Sequence, residues 1–248
     1  MEKREIITAA TEVGYQMLRF GAEVFRVEQA IEFICNAYDV AEVDVFAIPN
    51  SIVVTISDEQ QFFTKTKRVK RHTINLDRVD QFNSLSREIC QNKPDLAAIK
   101  EEIDRILRRP KYGPVRLFMA YCMVSFFFSL FYGGTLRDGL AALIIGGIVR
   151  LLVTFLERIH TNSFLMTILC SAAMTALTIV SVKIGLGDET DTILIGVLMT
   201  LVPGVALANC MRDFIANDIV AGLSRLAQAL LTASGIAIGV FVVLLATT

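Results

Sequence analysis

Long apolar stretches in the second half of the chain limit most strongly how this sequence can fold. Bilayer hydrocarbon is about 30 Å thick and an α-helix rises about 1.5 Å per residue, so a spanning helix needs roughly 17 to 25 apolar residues. Five stretches meet or approach that length, namely 115–132, 139–155, 164–184, 192–208 and 226–246. The sequence therefore predicts an α-helical membrane protein with a five-transmembrane-helix bundle.

Charge is distributed unevenly between the two halves. The first 114 residues hold 17 of the 24 Lys and Arg and 18 of the 25 Asp and Glu, while the apolar remainder holds seven of each. We therefore expect a cytoplasmic domain over residues 1–111 and a transmembrane domain over residues 112–248. Near-neutral net charge and the absence of a nucleic-acid motif argue against DNA or RNA as a partner.

The first half has the patterns of a small α+β domain. Apolar residues recur at helical spacing in residues 6–20 and again in residues 24–38. Three short segments rich in β-branched and aromatic residues follow, at 43–49, 51–57 and 62–69, and predict an antiparallel sheet. Two further amphipathic segments precede the first span, which gives the order ααβββαα.

Basic residues near the ends of the spans predict the orientation, because cytoplasmic flanks retain Lys and Arg. The N-terminal side carries the larger set: Arg105, Arg108, Arg109, Lys111, Arg116, Arg158, Arg212 and Arg225. The opposite side carries Arg137 and Lys183. With five spans in the cell membrane, the inner membrane of a bacterium, we expect a cytoplasmic N-terminus and an external C-terminus. The charged, amphipathic start of the chain is unlike a cleaved signal peptide.

The fourth span carries the clearest chemical signal. Pro203 and Gly204 predict a kink or break inside the membrane, where freed backbone groups are tolerated if they line a polar cavity. Asn209, Arg212 and Asp213 follow within about one helical turn and could bind a zwitterion or a dicarboxylate. The alternative is that the charges only solvate a cytoplasmic loop.

Two other charged features each have a functional and a structural interpretation. Arg150 in the second span either takes part in anion binding or ion pairing, or extends to the nearby interface. A basic cluster could contact anionic headgroups or a partner subunit, or could be a solvated strand; it comprises Lys65, Lys67, Arg68, Lys70 and Arg71. The five cysteines lack metal-site spacing, and no nucleotide, cofactor or hydrolase motif occurs, so no cofactor, metal or enzymatic activity is predicted.

Four segments together resemble the threonine/serine exporter family, in particular the longer subunit of its split form. They are GAEVFRVE (21–28), IPNSIVVTI (48–56), KTKRV (65–69) and LVPGVALANCMRD (201–213). The resemblance implies ion-gradient-driven export, or antiport, of small polar metabolites such as threonine, serine or succinate. It also implies a short membrane subunit as partner, forming an inverted second half, or else a homo-oligomer.

The resemblance carries functional importance onto matching positions of this chain. In the cytoplasmic motifs these are Gly21, Glu23, Arg26, Glu28 and Ser51, and in the fourth span they are Pro203, Gly204, Asn209 and Asp213. Two other functions stay open at this point. One is a membrane-anchored, hydrolase-like domain with Glu23 and Glu28 as acid and base. The other is an interaction or sensory module that recruits a partner through the basic cluster.

Overall fold

The chain forms two compact units. The computed structural model describes residues 2–58, 61–70, 72–110 and 112–247; Arg71 and Lys111, which contributed to the predictions above, lie outside these ranges. The first unit contains Met1–Arg109 and Leu207–Leu226, and the second contains Pro110–Ala206 and Ala227–Thr248. Residues 207–226, which the sequence analysis grouped with the membrane half, thus belong to the first unit.

The N-terminal part of the first unit has the predicted order ααβββαα. Its elements are α1 (Lys3–Arg19), α2 (Val24–Ala37), β1 (Glu42–Ile48), β2 (Ser51–Asp58), β3 (Gln61–Arg68), α3 (Leu76–Asn92) and α4 (Leu96–Arg108). Each strand begins and ends within one residue of its predicted position. The strands form an antiparallel sheet in the order β1-β2-β3.

Alternation and helical spacing explain the core of this unit. Strand β2 buries every second residue, Ile52, Val54 and Ile56. One face of the strand therefore packs in the core and the other is partly exposed to solvent. Helix α2 buries residues at helical spacing along one side, among them Val27 and Ile31, both fully buried. The apolar pattern of each element thus decides which face lies in the core.

Four helices of the chain are long and apolar enough to cross a membrane. They are α5 (Pro114–Phe131), α6 (Leu136–Arg158), α7 (Ser163–Lys183) and α10 (Ile219–Thr247). They overlap the first, second, third and fifth predicted spans, so the protein is a multi-pass membrane protein by length and composition. The predicted count of five spanning helices is not confirmed.

Two shorter helices occupy the region of the predicted fourth span, 192–208. Helix α8 (Thr190–Leu198) ends before Pro203, and α9 begins at Gly204 and ends at Ile215. Pro203 lacks a backbone N–H, and proline disfavours helical geometry at the preceding Val202, so a single helix cannot run through this point without a kink. Residues 199–201 form a turn, and residues 202 and 203 belong to neither helix.

Small residues allow close helix approach in the second unit. A Cβ on Gly196 of α8 would lie 2.7 Å from the backbone nitrogen of Ser129 in α5, and one on Gly146 of α6 would lie 2.3 Å from Ser125 Oγ. Such contacts hold helices together where lipid offers no hydrophobic drive. Helix α8 therefore packs directly on the backbone of α5.

Candidate functional site

Polar side chains of α9 and of the first turns of α10 dock on the loop between α1 and α2, within the first unit. The side-chain Nδ2 of Asn209 donates to the Gly21 carbonyl at 3.0 Å, and Arg225 Nη2 donates to the Ala22 carbonyl at 2.7 Å. Gly21 has a φ of 97°, in the left-handed region that favours glycine. The loop conformation available to glycine thus presents two adjacent carbonyls to these donors.

One ion pair reinforces this docking, and a second joins α10 to α9. Arg212 Nη1 lies 2.6 Å from Glu23 Oε1, and Arg225 Nε lies 2.9 Å from Asp213 Oδ2. Arg26 binds the second oxygen of Glu23 at 3.2 Å. The pairs differ in their exposure to solvent. Asp213 is fully buried and Arg225 is 8% exposed, whereas the side chain of Arg212 is 60% exposed.

Burial shifts the titration of the carboxyl groups beside these pairs. It raises the pKa of Asp213, while the Arg225 guanidinium and the Val24 backbone N–H oppose the rise. It also raises the pKa of Glu28 to about 7; the Ala47 N–H, 2.7 Å from Glu28 Oε1, opposes this rise and the charges of Asp218 and Glu32 add to it. Glu28 is thus a group that can change charge near neutral pH.

The remaining predicted site residues lie elsewhere. Ser51 begins β2 and pairs with Ile48 and Arg68 in the sheet. Arg150 belongs to the second unit, where its guanidinium lies over the Tyr121 ring at 5.3 Å from the ring centroid. A Cβ on Gly204 would meet nothing within 4 Å, so packing gives no reason for glycine there.

The basic cluster is not uniformly free for a partner. Lys67 forms an ion pair with Glu12 and its ammonium lies 4.0 Å from the centroid of the Tyr15 ring. Lys67 therefore ties β3 to α1, and Arg68 and Lys70 remain exposed. The side chain of Arg71 is outside the described residues.

Sequence reasoning undervalued two residues. Arg225, counted above only among the basic residues of the N-terminal side, is buried, forms an ion pair with Asp213 and donates to the Ala22 carbonyl. Asp138 was not noticed; it is fully buried at the start of α6 and accepts from the backbone N–H groups of Asp188 and Glu189, at 2.7 and 3.0 Å. A signal for Asp138 was present, since Thr135 and Asp138 form a capping box.

Metal chemistry has no visible basis in the described residues. Among them, no group of three or more His, Cys, Asp or Glu is placed to hold a metal ion. All five cysteines are free thiols, four of them buried. What the site offers is an amide bound to a loop carbonyl and two separate arginine–carboxylate pairs.

Comparison with known proteins assigns the chain to a family. The profile of the family described as "Putative threonine/serine exporter" matches residues 8–246. The chain belongs to the threonine/serine exporter family. The match covers both units, including α9 and all four candidate spans, so the resemblance of the four sequence segments is confirmed over nearly the whole chain.

A curated relative with low sequence identity supports the same assignment. The chain is 21% identical to a Mycobacterium tuberculosis (strain H37Rv) protein named "Probable threonine/serine exporter", over 251 residues. The alignment covers 100% of this chain and 47% of that relative, so the chain spans about half the length of the relative it matches. No solved structure matches the chain significantly.

Proposed function

We propose that the chain is one subunit of a secondary exporter of small polar metabolites, either amino acids of the threonine/serine type or dicarboxylates such as succinate, driven by an ion gradient. Membership of an exporter family supports transport rather than catalysis. We further propose that its partner in the membrane is a short subunit of the same family, forming an inverted second half, or a second copy of this chain.

The observation that carries the proposal is the interruption between α8 and α9. Helix α8 has nine residues and is about 14 Å long, roughly half of the hydrocarbon thickness. The non-helical residues 199–203 and the start of α9 would then cross the remaining depth. Irregular backbone at such depth is stable where protein or a water-filled cavity surrounds it, and transporters bind polar substrates in such places.

The polar residues after this interruption suit the proposed substrates. Asn209 and Arg212 can bind a carboxylate, and Asp213 can bind an ammonium group or carry a proton. In the present conformation each of them contacts another protein group instead, at Gly21, Glu23 or Arg225. Substrate would therefore have to replace these contacts. The hydrolase alternative is less well supported, since Glu23 is held by two arginines rather than poised as a base.

Flux in liposomes tests the proposal. The purified chain, reconstituted with a short membrane protein of the same family, should release labelled threonine, serine or succinate when a proton or sodium gradient is imposed. Asn209→Ala should lose most of this flux, whereas Asn92→Ala, at an exposed position at the end of α3, should keep it. Absence of gradient-dependent flux for every substrate would rule out the exporter function.

A further inference from the structure

The helical hairpin formed by α9 and the start of α10, residues 207–223, has an inverted distribution of polar and apolar residues. Its polar side chains Asn209 and Asp213 are buried against the first unit, as described above. Its large apolar side chains are exposed: Leu207 41%, Met211 59%, Ile215 82%, Ile219 56%, Val220 62% and Leu223 54%. In water, a protein domain would place these residues the other way round.

Helical geometry shows that the exposed side chains form a defined face. Leu207, Met211 and Ile215 are four residues apart and therefore line one side of α9, opposite Asn209 and Asp213. On α10, Ile219, Val220 and Leu223 share one side, and Arg225 lies on the other. The two helices turn sharply at Asn217, where φ is 70°, and Phe214 packs against Gly222.

The length of α10 indicates what covers this face. Residues 227–247 alone are about 31 Å long, enough to cross the hydrocarbon. The whole helix, with 29 residues, is about 43 Å long, which equals the bilayer together with its headgroup layers. Because α10 is one uninterrupted helix, its first two turns reach the interfacial layer when the rest spans the hydrocarbon.

We propose that the hairpin 207–223 is an interfacial membrane element, with its exposed apolar face inserted at the boundary between headgroups and acyl chains of the bilayer. Arg212, at the edge of this face and 60% exposed, can extend towards the headgroups. The opposite, polar face holds the α1–α2 loop. The hairpin thus fastens the N-terminal domain to the membrane surface independently of substrate.

Single tryptophan variants can test this directly, because the chain has no tryptophan of its own. Ile215→Trp and Met211→Trp replace exposed side chains and should fold as the wild type does. Ile238→Trp, at an exposed position near the middle of the spanning part of α10, serves as a lipid-facing reference. Phe62→Trp, 76% exposed on β3, serves as the matched control for an apolar side chain of the N-terminal domain.

The purified full chain in liposomes containing lipids with brominated acyl chains should lose fluorescence at Ile215→Trp and Met211→Trp to an extent comparable with Ile238→Trp. Shallow bromines should quench the hairpin more than deep ones, and deep bromines should quench Ile238→Trp more. Phe62→Trp should respond to aqueous iodide instead.

Two results would overturn the proposal. Quenching of both hairpin variants by iodide, at the level of Phe62→Trp and without an effect of bromine, would show that the face lies in water. Protection from both quenchers would show that a second copy or another protein covers it. Neither result depends on whether the chain exports anything, so the exporter function and the membrane hairpin are tested separately.

Discussion

Replacing Asp213 by Asn removes the carboxylate paired with the buried Arg225 while keeping the shape of the side chain. Removing one partner of a buried ion pair lowers the free energy of unfolding by about 3–5 kcal/mol, because the remaining charge stays buried without a counter-charge. Arg225 keeps its bond to the Ala22 carbonyl, and burial already opposes the charged form of Asp213. We therefore expect the lower end, about 3 kcal/mol of lost unfolding free energy.

Such a loss should lower Tm by about 6–12 °C in a chain of this length. The measurement is thermal unfolding of the detergent-solubilised full chain, followed with a thiol-reactive dye, since Cys35 and Cys210 in the first unit are buried. Glu102→Gln, in the exposed pair with Arg105, should leave Tm unchanged. A Tm within 2 °C of wild type for Asp213→Asn would refute the reasoning. Asp213→Leu combined with Arg225→Met should recover part of the loss, since apolar pairs often replace buried ion pairs without cost.

Three further predictions concern protonation, packing and topology. Glu28→Gln should raise the free energy of unfolding at pH 8 by about 1 kcal/mol and leave it unchanged at pH 4. The reason is that the stability contributed by protonated Glu28 is complete below pH 4.5 and is lost as the pH rises through its folded-state pKa of about 7. Measuring Tm as a function of pH tests this. Gly196→Ala should destabilise the chain by about 1–3 kcal/mol, because the α5 backbone cannot move away, whereas Gly204→Ala should leave Tm unchanged or higher. A topology reporter fused to the C-terminus should be external; a cytoplasmic signal would mean an even number of crossings.

The sequence predicted the elements whose pattern is local. Strand β2 is short, rich in β-branched residues and bounded by turn residues, and this local composition predicted it. Helices α5, α6, α7 and α10 are 18 to 29 residues long and mainly apolar, as a spanning helix must be, so length and composition together identified them. In both cases one property of neighbouring residues decides the structure.

The fourth predicted span is not confirmed as a spanning helix, because hydropathy sums composition without regard to backbone hydrogen bonding. Residues 192–208 are apolar throughout, yet Pro203 ends the helical pattern and Asn209 lies with the first unit. The docking contacts are also invisible to any local pattern. Asn209 and Gly21 are 188 positions apart in the sequence. A sequence window of 11–18 residues cannot include both. The chemical importance of both segments was predicted, but their contact was not.

The contacts of α9 place a condition on any substrate that these residues bind. Asn209 and Arg212 already hold Gly21 and Glu23, and such intramolecular partners compete at high effective concentration. A substrate carboxylate can take Arg212 only in the fraction of molecules that has released Glu23, so its apparent affinity is reduced by that fraction. Arg26 remains on the other oxygen of Glu23 and keeps that carboxylate paired after release, which makes release less costly. Substrate binding at α9 and release of the α1–α2 loop would then be linked reciprocally: whatever stabilises the α1–α2 loop would weaken substrate binding, and bound substrate would release the loop.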